Sequence, residues 1–588
     1  MIVPPERKSR FRMAPENRVR YALAALSGGL LALAFPRVSI AGLAWIAPGL
    51  LLFAAVGLRP GMAFRVGFVG GYVYYLCTLN WLLYIPVTFL PILGWMALSA
   101  YLSLFSALWV WMCWKFFPRA QSEPGASKEV LDAGEAVPAR RLRNLRDESR
   151  GILETAWWRR TLWALQCGAV WVALEMVLGR FLSGFPWDFL GVSQYKMLPV
   201  IQVSAFTGVY GVSFLIVWFS VALMLAGIAL AEKPHERATW VKELAIPMLT
   251  LAVVVAYGIS QIRSYEPPSE RKKFALIQPS IPQTLIWDER ENSNRFGQLI
   301  ALSEKALEAK PDAIVWPEAS VPNMLRHHAE TGDAIVGLMQ KHKVWGILGS
   351  DDAEMRPGGT TLRDVDYFNS AFAISPEGRL VGVYKKRQLV IFGEYIPFVK
   401  TLPFMKYLSP AGETGFTPGK GAVPFNLESI GVIASVLICF EDTFPHLVRK
   451  YVEPDTDILV NLTNNGWFGE SAAQWQHAAT AVFRAVENRI PLVRCANNGL
   501  TCWVDATGAM HDVYFPDDKD IYKVGFKTVE VPVLGEGELR TLTFYTKYGD
   551  VFGWSCFAIV VANLAGASIL KAMKRKTPAP APLAEAGV

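Results

Sequence analysis

Three side chains that suit covalent catalysis each stand at the end of a run of residues with β-strand character. They are Glu318, Lys386 and Cys439. A thiol can act as a nucleophile, a nearby carboxylate as its general base, and a fixed ammonium as the group that stabilises an oxyanion. Layered α/β folds place reactive groups at strand ends. The three residues are therefore candidates for an acyl-transfer site.

Each of these residues also has a structural interpretation. A cysteine after a buried strand is usually a core residue, although a sharp strand-to-helix turn at Cys439 would lower the pKa of its thiol. Glu318 follows Pro317, and its alternative interpretation is an acidic residue at a helix N-terminus, where the helix dipole favours a negative charge. Lys386 lies in a Lys-Lys-Arg run, which is typical of a solvated surface. The sequence alone leaves both interpretations open.

The length and composition indicate a multidomain membrane protein. The chain has 588 residues, of which 52% are hydrophobic, and its mean hydropathy is +0.26. This is too long for one core and too apolar for an ordinary soluble protein. The net charge of +7 does not indicate nucleic acid, because the Lys and Arg residues lie beside apolar segments. Seven scattered cysteines without metal-ligand spacing predict neither a disulfide framework nor a metal site, and we expect no cofactor.

Eight apolar segments are long enough to be candidate membrane spans, each of which needs about 20 residues. They are residues 19–36, 41–58, 64–86, 90–117, 160–178, 207–231, 243–261 and 551–571. The first is not expected to be a cleaved signal peptide, because no small-residue cleavage site follows it. We therefore expect a polytopic α-helical membrane domain with eight spans.

Positive charges predict how these spans are oriented. Lys and Arg concentrate in the N-terminal arm, in the connections after the second, fourth and sixth spans, and in the C-terminal tail. By the positive-inside rule all five segments are cytoplasmic, so both termini are cytoplasmic in an inner-membrane protein. This pattern predicts four regions: residues 1–262 with seven spans and a cytoplasmic insert at 118–158, residues 263–548 on the periplasmic side, residues 549–576 as the eighth span, and residues 577–588 as a disordered tail.

Two features of the membrane part allow more than one interpretation. Glu175 lies inside the fifth predicted span, where a carboxyl is costly unless it is paired, so we expect either an interhelical hydrogen bond or a functional partner. The aromatic segment 183–191 follows it. This segment is interpreted either as an interfacial anchor or as the floor beneath a site in the soluble domain.

Residues 273–504 change to short strands and amphipathic helices, which predicts a layered α/β domain with two sheets. Strands are expected at 274–278, 313–316, 344–349, 367–374, 380–384, 430–438, 457–462 and 492–504. Helices are expected at 291–309, 331–342 and 474–489.

Ten short strings resemble the nitrilase superfamily and, because candidate membrane spans flank the α/β domain, the apolipoprotein N-acyltransferase family. The strings are Gly184-Phe-Pro-Trp187, Ile281-Pro-Gln-Thr-Leu-Ile-Trp287, Val315-Trp-Pro-Glu318, Phe368-Asn-Ser370, Tyr384-Lys-Lys386 with Phe392-Gly-Glu394, Ile438-Cys-Phe-Glu441, Asn464-Asn-Gly-Trp-Phe-Gly469, Trp475-Gln-His477 and Asn497-Asn-Gly499. The resemblance implies an α-β-β-α sandwich. It also implies a triad in which Glu318 is the base, Lys386 the oxyanion stabiliser and Cys439 the nucleophile.

The resemblance also implies supporting residues around this triad. Glu394 and Glu441 match accessory carboxylates, and Trp287 and Asn369 match positions that support the site or the substrate. Phe440 stands where some members have Tyr, so only an aromatic face is expected there. We further expect Trp467, Phe468 and Trp475 to line the cavity, and His477 to be structural.

The implied reaction moves a fatty acyl chain from a phospholipid, with phosphatidylethanolamine as the expected donor, through a cysteine thioester. The acceptor is the α-amine of diacylglyceryl-cysteine on an apolipoprotein. The site must then lie near the bilayer. Apolar residues 390–392 with 395–398, and 402–408, are candidates to dip into it, and ordinary packing in a long connection is the alternative interpretation. A membrane-tethered amidase is the alternative enzyme, and a transporter or receptor with an inactive cap is an alternative from another class. Nothing in the sequence requires more than a monomer.

Overall fold

The computed structural model describes residues 15–118, 145–286, 288–361, 364–398, 401, 415–515 and 518–576. Most of the predicted insert, the predicted tail, Trp287 and the loop at 402–408 lie outside these residues. The helices of the membrane part are α1 Pro15–Leu33, α2 Ala47–Ala54, α3 Pro60–Thr78, α4 Leu90–Lys115, α5 Leu145–Leu153, α6 Trp157–Leu178, α7 Val209–Glu232, α8 Arg237–Arg263 and, at the far end of the chain, α13 Val551–Lys576.

Within the described residues, five helices are long and apolar enough to cross a membrane. These are α4, α6, α7, α8 and α13, and they coincide with the fourth to eighth predicted spans. The 26 residues of α4 rise about 39 Å at about 1.5 Å per residue, which exceeds the hydrocarbon thickness of about 30 Å. The chain is therefore a membrane protein with several apolar helices.

The first three predicted spans are not among these five helices, although α1 covers most of the first with 19 residues. The segment predicted at 41–58 is a 3₁₀ turn, Ala41–Trp45, followed by α2 with only eight residues. Eight residues rise about 12 Å, less than half of a bilayer core. The segment predicted at 64–86 likewise divides into α3 and the 3₁₀ turn Asn80–Tyr84. An apolar run predicts that these residues are buried, but it does not show where one helix ends and the next element begins.

In the described parts of the chain, the α/β domain contains two six-stranded sheets. The first has the order β12-β1-β2-β3-β4-β5, and the second has the order β11-β10-β9-β8-β7-β6. The strands are β1 Glu270–Gln278, β2 Ala313–Val315, β3 Trp345–Met355, β4 Val365–Ile374, β5 Leu380–Lys385, β6 Pro424–Leu427, β7 Val432–Ile438, β8 Ile458–Thr463, β9 Leu492–Ala496, β10 Cys502–Val504, β11 Met510–His511 and β12 Gly525–Val533.

The two sheets pack face to face and helices cover their outer faces. On β1, Leu276 joins the core between the sheets, whereas Ala275 and Ile277 join a second core beneath the helices α9 Asn292–Leu307 and α10 Ala329–His342. Both faces of the strand are apolar because both are buried. The helix α11 Ala473–Asn488 packs on the second sheet, and the short α12 Phe544–Tyr548 precedes α13. The predicted α-β-β-α sandwich is present.

One predicted strand is wrong in its extent. The run 492–504 is a tight antiparallel hairpin of β9 and β10 and not one strand. The chain reverses at Asn497–Leu500, where Gly499 adopts a φ of 89° that favours glycine. This reversal brings Asn497 next to the candidate site.

Candidate active site

Cys439 occupies the first position after β7, at the end of the strand. Its φ is 50°, in the left-handed region, and it opens the 3₁₀ turn Cys439–Thr443. The carbonyl oxygen of Cys439 accepts hydrogen bonds from Asn461 Nδ2 at 3.0 Å and from His477 Nε2 at 3.2 Å. His477 also bonds Asp442 Oδ1 at 2.7 Å. These contacts fix the strained backbone that presents the thiol, and His477 has the structural role expected for it.

Glu318 stands just beyond β2 and its carboxylate accepts three hydrogen bonds. Its Oε1 accepts from Lys386 Nζ at 3.0 Å and from Asn369 Nδ2 at 2.8 Å. Its Oε2 accepts from the backbone N–H of Asn464 at 2.9 Å. The side chain is 7% exposed. A buried carboxylate with three donors has one fixed orientation, as a general base requires.

Lys386 follows β5 and its ammonium lies between two carboxylates. Its Nζ donates to Glu318 Oε1 and, at 2.8 Å, to Glu394 Oε1. Burial alone would lower the pKa of Lys386, but the charges of Glu318 and Glu394 outweigh burial and hold this pKa well above its ordinary value. The neighbouring Lys385 pairs instead with Glu354. Lys386 is therefore a buried, permanently charged group and not part of a solvated surface.

Asn369 and Glu394 hold this pair in place. Asn369 lies on β4 and donates from the same Nδ2 to Glu318 Oε1 and to Glu394 Oε1, the latter at 2.9 Å. Glu394 is fixed in turn because its Oε2 accepts from the backbone N–H of Val390 at 2.8 Å. The two carboxylates thus share one ammonium and one amide. This network fixes the side-chain positions of Glu318 and Lys386.

Glu441 ties the lysine loop to the cysteine turn. One oxygen accepts from the backbone N–H groups of Arg387 at 2.7 Å and Gln388 at 3.1 Å, and the other from Ile438 at 2.7 Å. The hydroxyl of Tyr384 donates to the same carboxylate at 2.8 Å. Burial raises the pKa of Glu441, and these donors oppose the rise. Glu441 thus bonds both the segment that follows Lys386 and the residue that precedes Cys439. These bonds fix the position of the lysine loop relative to the cysteine turn.

The thiol differs from the sequence-based expectation in one respect. Burial, followed by the charge of Glu318, raises the pKa of Cys439 to about 12, and Lys386 only partly offsets this. The expected lowering fails because a turn of five residues, Cys439–Thr443, supplies little helix dipole while a carboxylate lies nearby. The resting thiol is therefore protonated, and a base must remove its proton during attack.

An aromatic wall from both parts of the protein lies beside the cysteine. We define it by four residues: Trp81, Trp187, Phe440 and Phe468. The ring centroids are 6.1 Å apart for Trp187–Phe440, 5.1 Å for Trp81–Trp187 and 4.5 Å for Trp81–Phe468. Phe185 also packs on Phe440 at 6.0 Å. Of the two interpretations of segment 183–191, its contact with Phe440 supports a floor beneath the site.

Comparison with known proteins agrees with this architecture. Residues 273–522 match the Carbon-nitrogen hydrolase family, and residues 27–131 with 149–222 match the Apolipoprotein N-acyltransferase N-terminal domain. The apolipoprotein N-acyltransferase of Geobacter metallireducens is 37% identical over 553 residues, which cover 93% of this chain and 95% of that protein. The chain belongs to the apolipoprotein N-acyltransferase family.

Other proteins are similar over shorter lengths. The apolipoprotein N-acyltransferase 1 of Treponema denticola is 31% identical over 69% of this chain and 77% of its own length. Among solved structures, an amidase from Nesterenkonia sp. covers 46% of this chain and 92% of its own length. That structure has 15% identity and a TM-score of 0.31.

In this N-acyltransferase family member, the predicted place of Trp467 and Trp475 in the cavity stays a prediction. Trp475 is half-buried and packs against a small separate cluster of Ala478, Leu500 and Ile521. Trp467 is half-buried in the turn Asn465–Phe468. Trp287 lies outside the described residues, so its predicted role stays a prediction.

Two polar residues of the site were not singled out as site residues by the sequence. Asn464 holds Glu318 through its backbone N–H, and its side chain bonds Gln283 at 2.9 Å and Asn497 at 3.0 Å. Asn464 and Asn497 each begin a string that resembles the family, and this resemblance is the sequence feature that could have identified them. Their partners are distant in the chain, so only the fold shows their contact.

One carboxylate oxygen of Glu175 has a structural role. Its Oε1 accepts from Trp171 Nε1 at 2.9 Å and from the backbone N–H of Leu190 at 2.8 Å. Leu190 belongs to the segment that carries Trp187. Glu175 therefore fixes the aromatic segment of this family member to α6.

Proposed function

We propose that this protein transfers a fatty acyl chain from a membrane phospholipid to the α-amine of diacylglyceryl-cysteine on apolipoproteins. The observation that carries this proposal is the network in which Lys386 and Asn369 join Glu318 to Glu394. The charges of Glu318 and Lys386 in this network act on the thiol of Cys439. The relatives are apolipoprotein N-acyltransferases, which supports the acceptor class, and the apolar helices support the membrane setting.

In the first half-reaction Glu318 takes the proton of the Cys439 thiol as sulfur attacks the ester carbonyl of the donor. The negative charge that forms on the carbonyl oxygen is stabilised by the ammonium of Lys386. When the tetrahedral intermediate collapses, the C–O bond breaks and Glu318 returns the proton to the leaving lysophospholipid. A thioester on Cys439 remains.

In the second half-reaction the neutral α-amine of the acceptor attacks the thioester carbonyl. Glu318 takes a proton from the attacking nitrogen, the C–S bond breaks, and the departing sulfur recovers the proton as a thiol. The product is an amide, and the free enzyme is regenerated. Asn369, Glu394 and Glu441 touch no reacting atom in this scheme and act as positioning residues.

The site is placed against lipid because both substrates are anchored by acyl chains. Burial of each CH₂ contributes about 0.8 kcal/mol, so extraction of a whole chain into water would cost about 10 kcal/mol or more. The exposed Phe398, which is 63% accessible, lies in the loop predicted to dip into the bilayer. We propose that this loop contacts lipid, that phosphatidylethanolamine is the donor, and that the protein acts as a monomer.

We also propose the membrane topology that the charge pattern predicts. Residues 1–262 and 549–576 lie in the bacterial inner membrane as eight apolar segments, and residues 263–548 form the periplasmic catalytic domain. Both termini are cytoplasmic. The extensive packing of α3 against α1 and α4 supports a place in the bilayer for the shorter helices too.

The test uses the full chain in detergent micelles with acyl-labelled phosphatidylethanolamine. Intact-mass analysis should show one added acyl group, which maps to the peptide of Cys439 and is removed by hydroxylamine as a thioester. Addition of a diacylglyceryl peptide with a free N-terminus should move the label to that peptide. Cys439→Ala should give no adduct. Release of ammonia from a small amide without any acyl adduct would instead support the amidase alternative.

A further inference from the structure

Gln476 is a buried side chain of the catalytic domain whose partners all lie in the membrane part. It is 2% exposed and lies on α11, next to His477. Its Oε1 accepts from Trp81 Nε1 at 2.9 Å and from Trp187 Nε1 at 2.8 Å. Its Nε2 donates to the carbonyl oxygens of Pro36 and Thr78, each at 3.1 Å.

These four bonds admit only one orientation of the amide. Two indole N–H groups can face only the carbonyl oxygen of Gln476, and two carbonyl oxygens can face only its NH₂ group. Reversal of the amide would place donors against donors and acceptors against acceptors. The side chain therefore uses two acceptor and two donor positions, and no polar neighbour in this group competes for them.

The partners come from three separate segments. Pro36 follows α1, Thr78 and Trp81 flank the end of α3, and Trp187 lies in the segment after α6. Trp81 and Trp187 are the two members of the aromatic wall that belong to the membrane part, and they are 3% and 4% exposed. One side chain of the catalytic domain thus holds the two tryptophans of the wall.

The same helix reaches the nucleophile. His477, the next residue, bonds the carbonyl oxygen of Cys439 and packs on Trp187 with ring centroids 5.3 Å apart. Consecutive residues of α11 therefore contact the cysteine turn and the aromatic wall. The position of Trp187 relative to the cysteine turn is therefore set through α11.

We infer that Gln476 is a positioning residue that holds Trp81 and Trp187 where a lipid acyl chain must pass to reach Cys439. This inference rests on the proposed function. Without the Gln476 oxygen, two buried indole N–H groups lose their acceptor, and buried donors seek new partners. The rings then leave their positions, so a long acyl chain is misaligned while the triad itself is untouched. Misplacement by about 1 Å costs about 10²-fold in rate where geometry is limiting.

The experiment compares two acyl donors on Gln476→Met, which keeps the length of the side chain and removes its hydrogen bonds. The donors are phosphatidylethanolamine in mixed micelles and p-nitrophenyl acetate, a short soluble ester that needs no wall. We expect acylation of Cys439 by phosphatidylethanolamine to fall about tenfold or more, and acylation by p-nitrophenyl acetate to stay within about twofold.

Gln202→Met is the matched control. Gln202 is also a buried glutamine between the two parts, and its Nε2 donates to the carbonyl oxygens of Leu198 at 3.0 Å and Thr507 at 2.8 Å, away from the aromatic wall. We expect this variant to lower the melting temperature by less than Gln476→Met does, because Gln202 makes two such bonds and Gln476 makes four, and to leave the ratio of the two acylation rates unchanged.

A triple variant tests whether Gln476 acts through the two indoles. In Trp81→Phe with Trp187→Phe, the N–H groups that need an acceptor are absent. Adding Gln476→Met to that background should then have little further effect on acylation by phosphatidylethanolamine. Full additivity of the losses would overturn the inference, as would an equal loss with both donors or no loss with either.

These outcomes are distinguishable from failure of the proposed function. If the unmodified protein forms no acyl adduct from phosphatidylethanolamine, the proposed function fails. If the unmodified protein forms the adduct and Gln476→Met forms it at the same rate, only the positioning role of Gln476 fails.

Discussion

Asp351 and Asn369 lie directly opposite each other on the antiparallel strands β3 and β4. Side chains of such a pair project from the same face of a sheet, and Asn369 bonds Glu318 and Glu394 from that face. Burial, followed by the charges of Glu318 and Glu394, raises the pKa of Asp351 to about 7. A third carboxyl therefore titrates beside the triad near neutral pH.

The rate of Cys439 acylation should fall as the pH rises through about 7. Asp351 has a raised pKa, so it is neutral below that value and gains a negative charge above it. The new charge opposes the thiolate and the oxyanion that form during attack. Single-turnover acylation by phosphatidylethanolamine across the range from acid to alkaline pH measures this. Asp351→Asn should lose the alkaline decline, and the same decline in this variant would contradict the assignment.

Glu318→Gln should separate the acidity of the thiol from its catalytic use. The charge of Glu318 raises the pKa of Cys439, so its removal should move that pKa below about 12 and increase the thiolate fraction at alkaline pH. Loss of the base should still reduce acyl transfer by about 10²- to 10⁴-fold. The pH dependence of alkylation gives the first quantity and adduct formation gives the second.

A suitable control for this experiment is Glu330→Gln, an exposed carboxylate in the first turn of α10. It should change neither the thiol pKa nor the acylation rate. An unchanged or higher thiol pKa in Glu318→Gln would show that Glu318 does not act electrostatically on the nucleophile.

Glu441→Gln should disturb the turn that carries Cys439. The amide NH₂ would face backbone donors of Ile438 or of the Arg387–Gln388 pair, and each unsatisfied buried donor costs about 1–3 kcal/mol. We expect a loss of about 2–4 kcal/mol in the free energy of unfolding and a clear loss of acyl transfer.

Tyr384→Phe provides the comparison for Glu441→Gln. It removes one donor to Glu441 and leaves the three backbone donors in place, so a loss of about 1 kcal/mol is expected. Thermal unfolding of both variants in the same detergent ranks them. A larger effect from Tyr384→Phe would mean that the backbone bonds of Glu441 contribute little.

Phe440 offers a test of the aromatic face beside the nucleophile. Phe440→Tyr keeps the ring that packs on Phe185, Trp187 and Phe444, so acylation should stay within about threefold. Phe440→Ala removes the ring and should slow acylation by phosphatidylethanolamine more than acylation by p-nitrophenyl acetate. Equal effects of Phe440→Ala on both donors would remove Phe440 from the lipid path.

The sequence predicted those parts of the site that depend on local order. Cys439, Glu318 and Lys386 each follow a run with strand character, and strand ends in layered α/β folds carry reactive groups, so the pattern makes them candidates for one site. Their combination as a triad came from the family resemblance. The carboxylates Glu394 and Glu441 came from the family resemblance, and the structure places each within bonding distance of the lysine loop or the cysteine turn.

Contacts between distant segments were outside the reach of the sequence. Gln476 and its partner Trp81 are separated by 395 residues, and no periodicity relates them. Asp351 carries no signal in the sequence, because its titration depends on the charges of Glu318 and Glu394, which other segments bring close to it. The short α2 was predicted as part of a span, since hydropathy measures burial and does not show where a helix ends.

The protonated state of Cys439 has a consequence for the survival of the enzyme. Oxidants and disulfides react with thiolates, and a buried thiol with a pKa of about 12 offers almost none at neutral pH. In the proposed reaction, the sulfur becomes nucleophilic as Glu318 takes its proton. In the proposed topology, in which residues 263–548 are periplasmic, such a protonated thiol can persist unmodified on the side of the membrane where disulfide bonds are made.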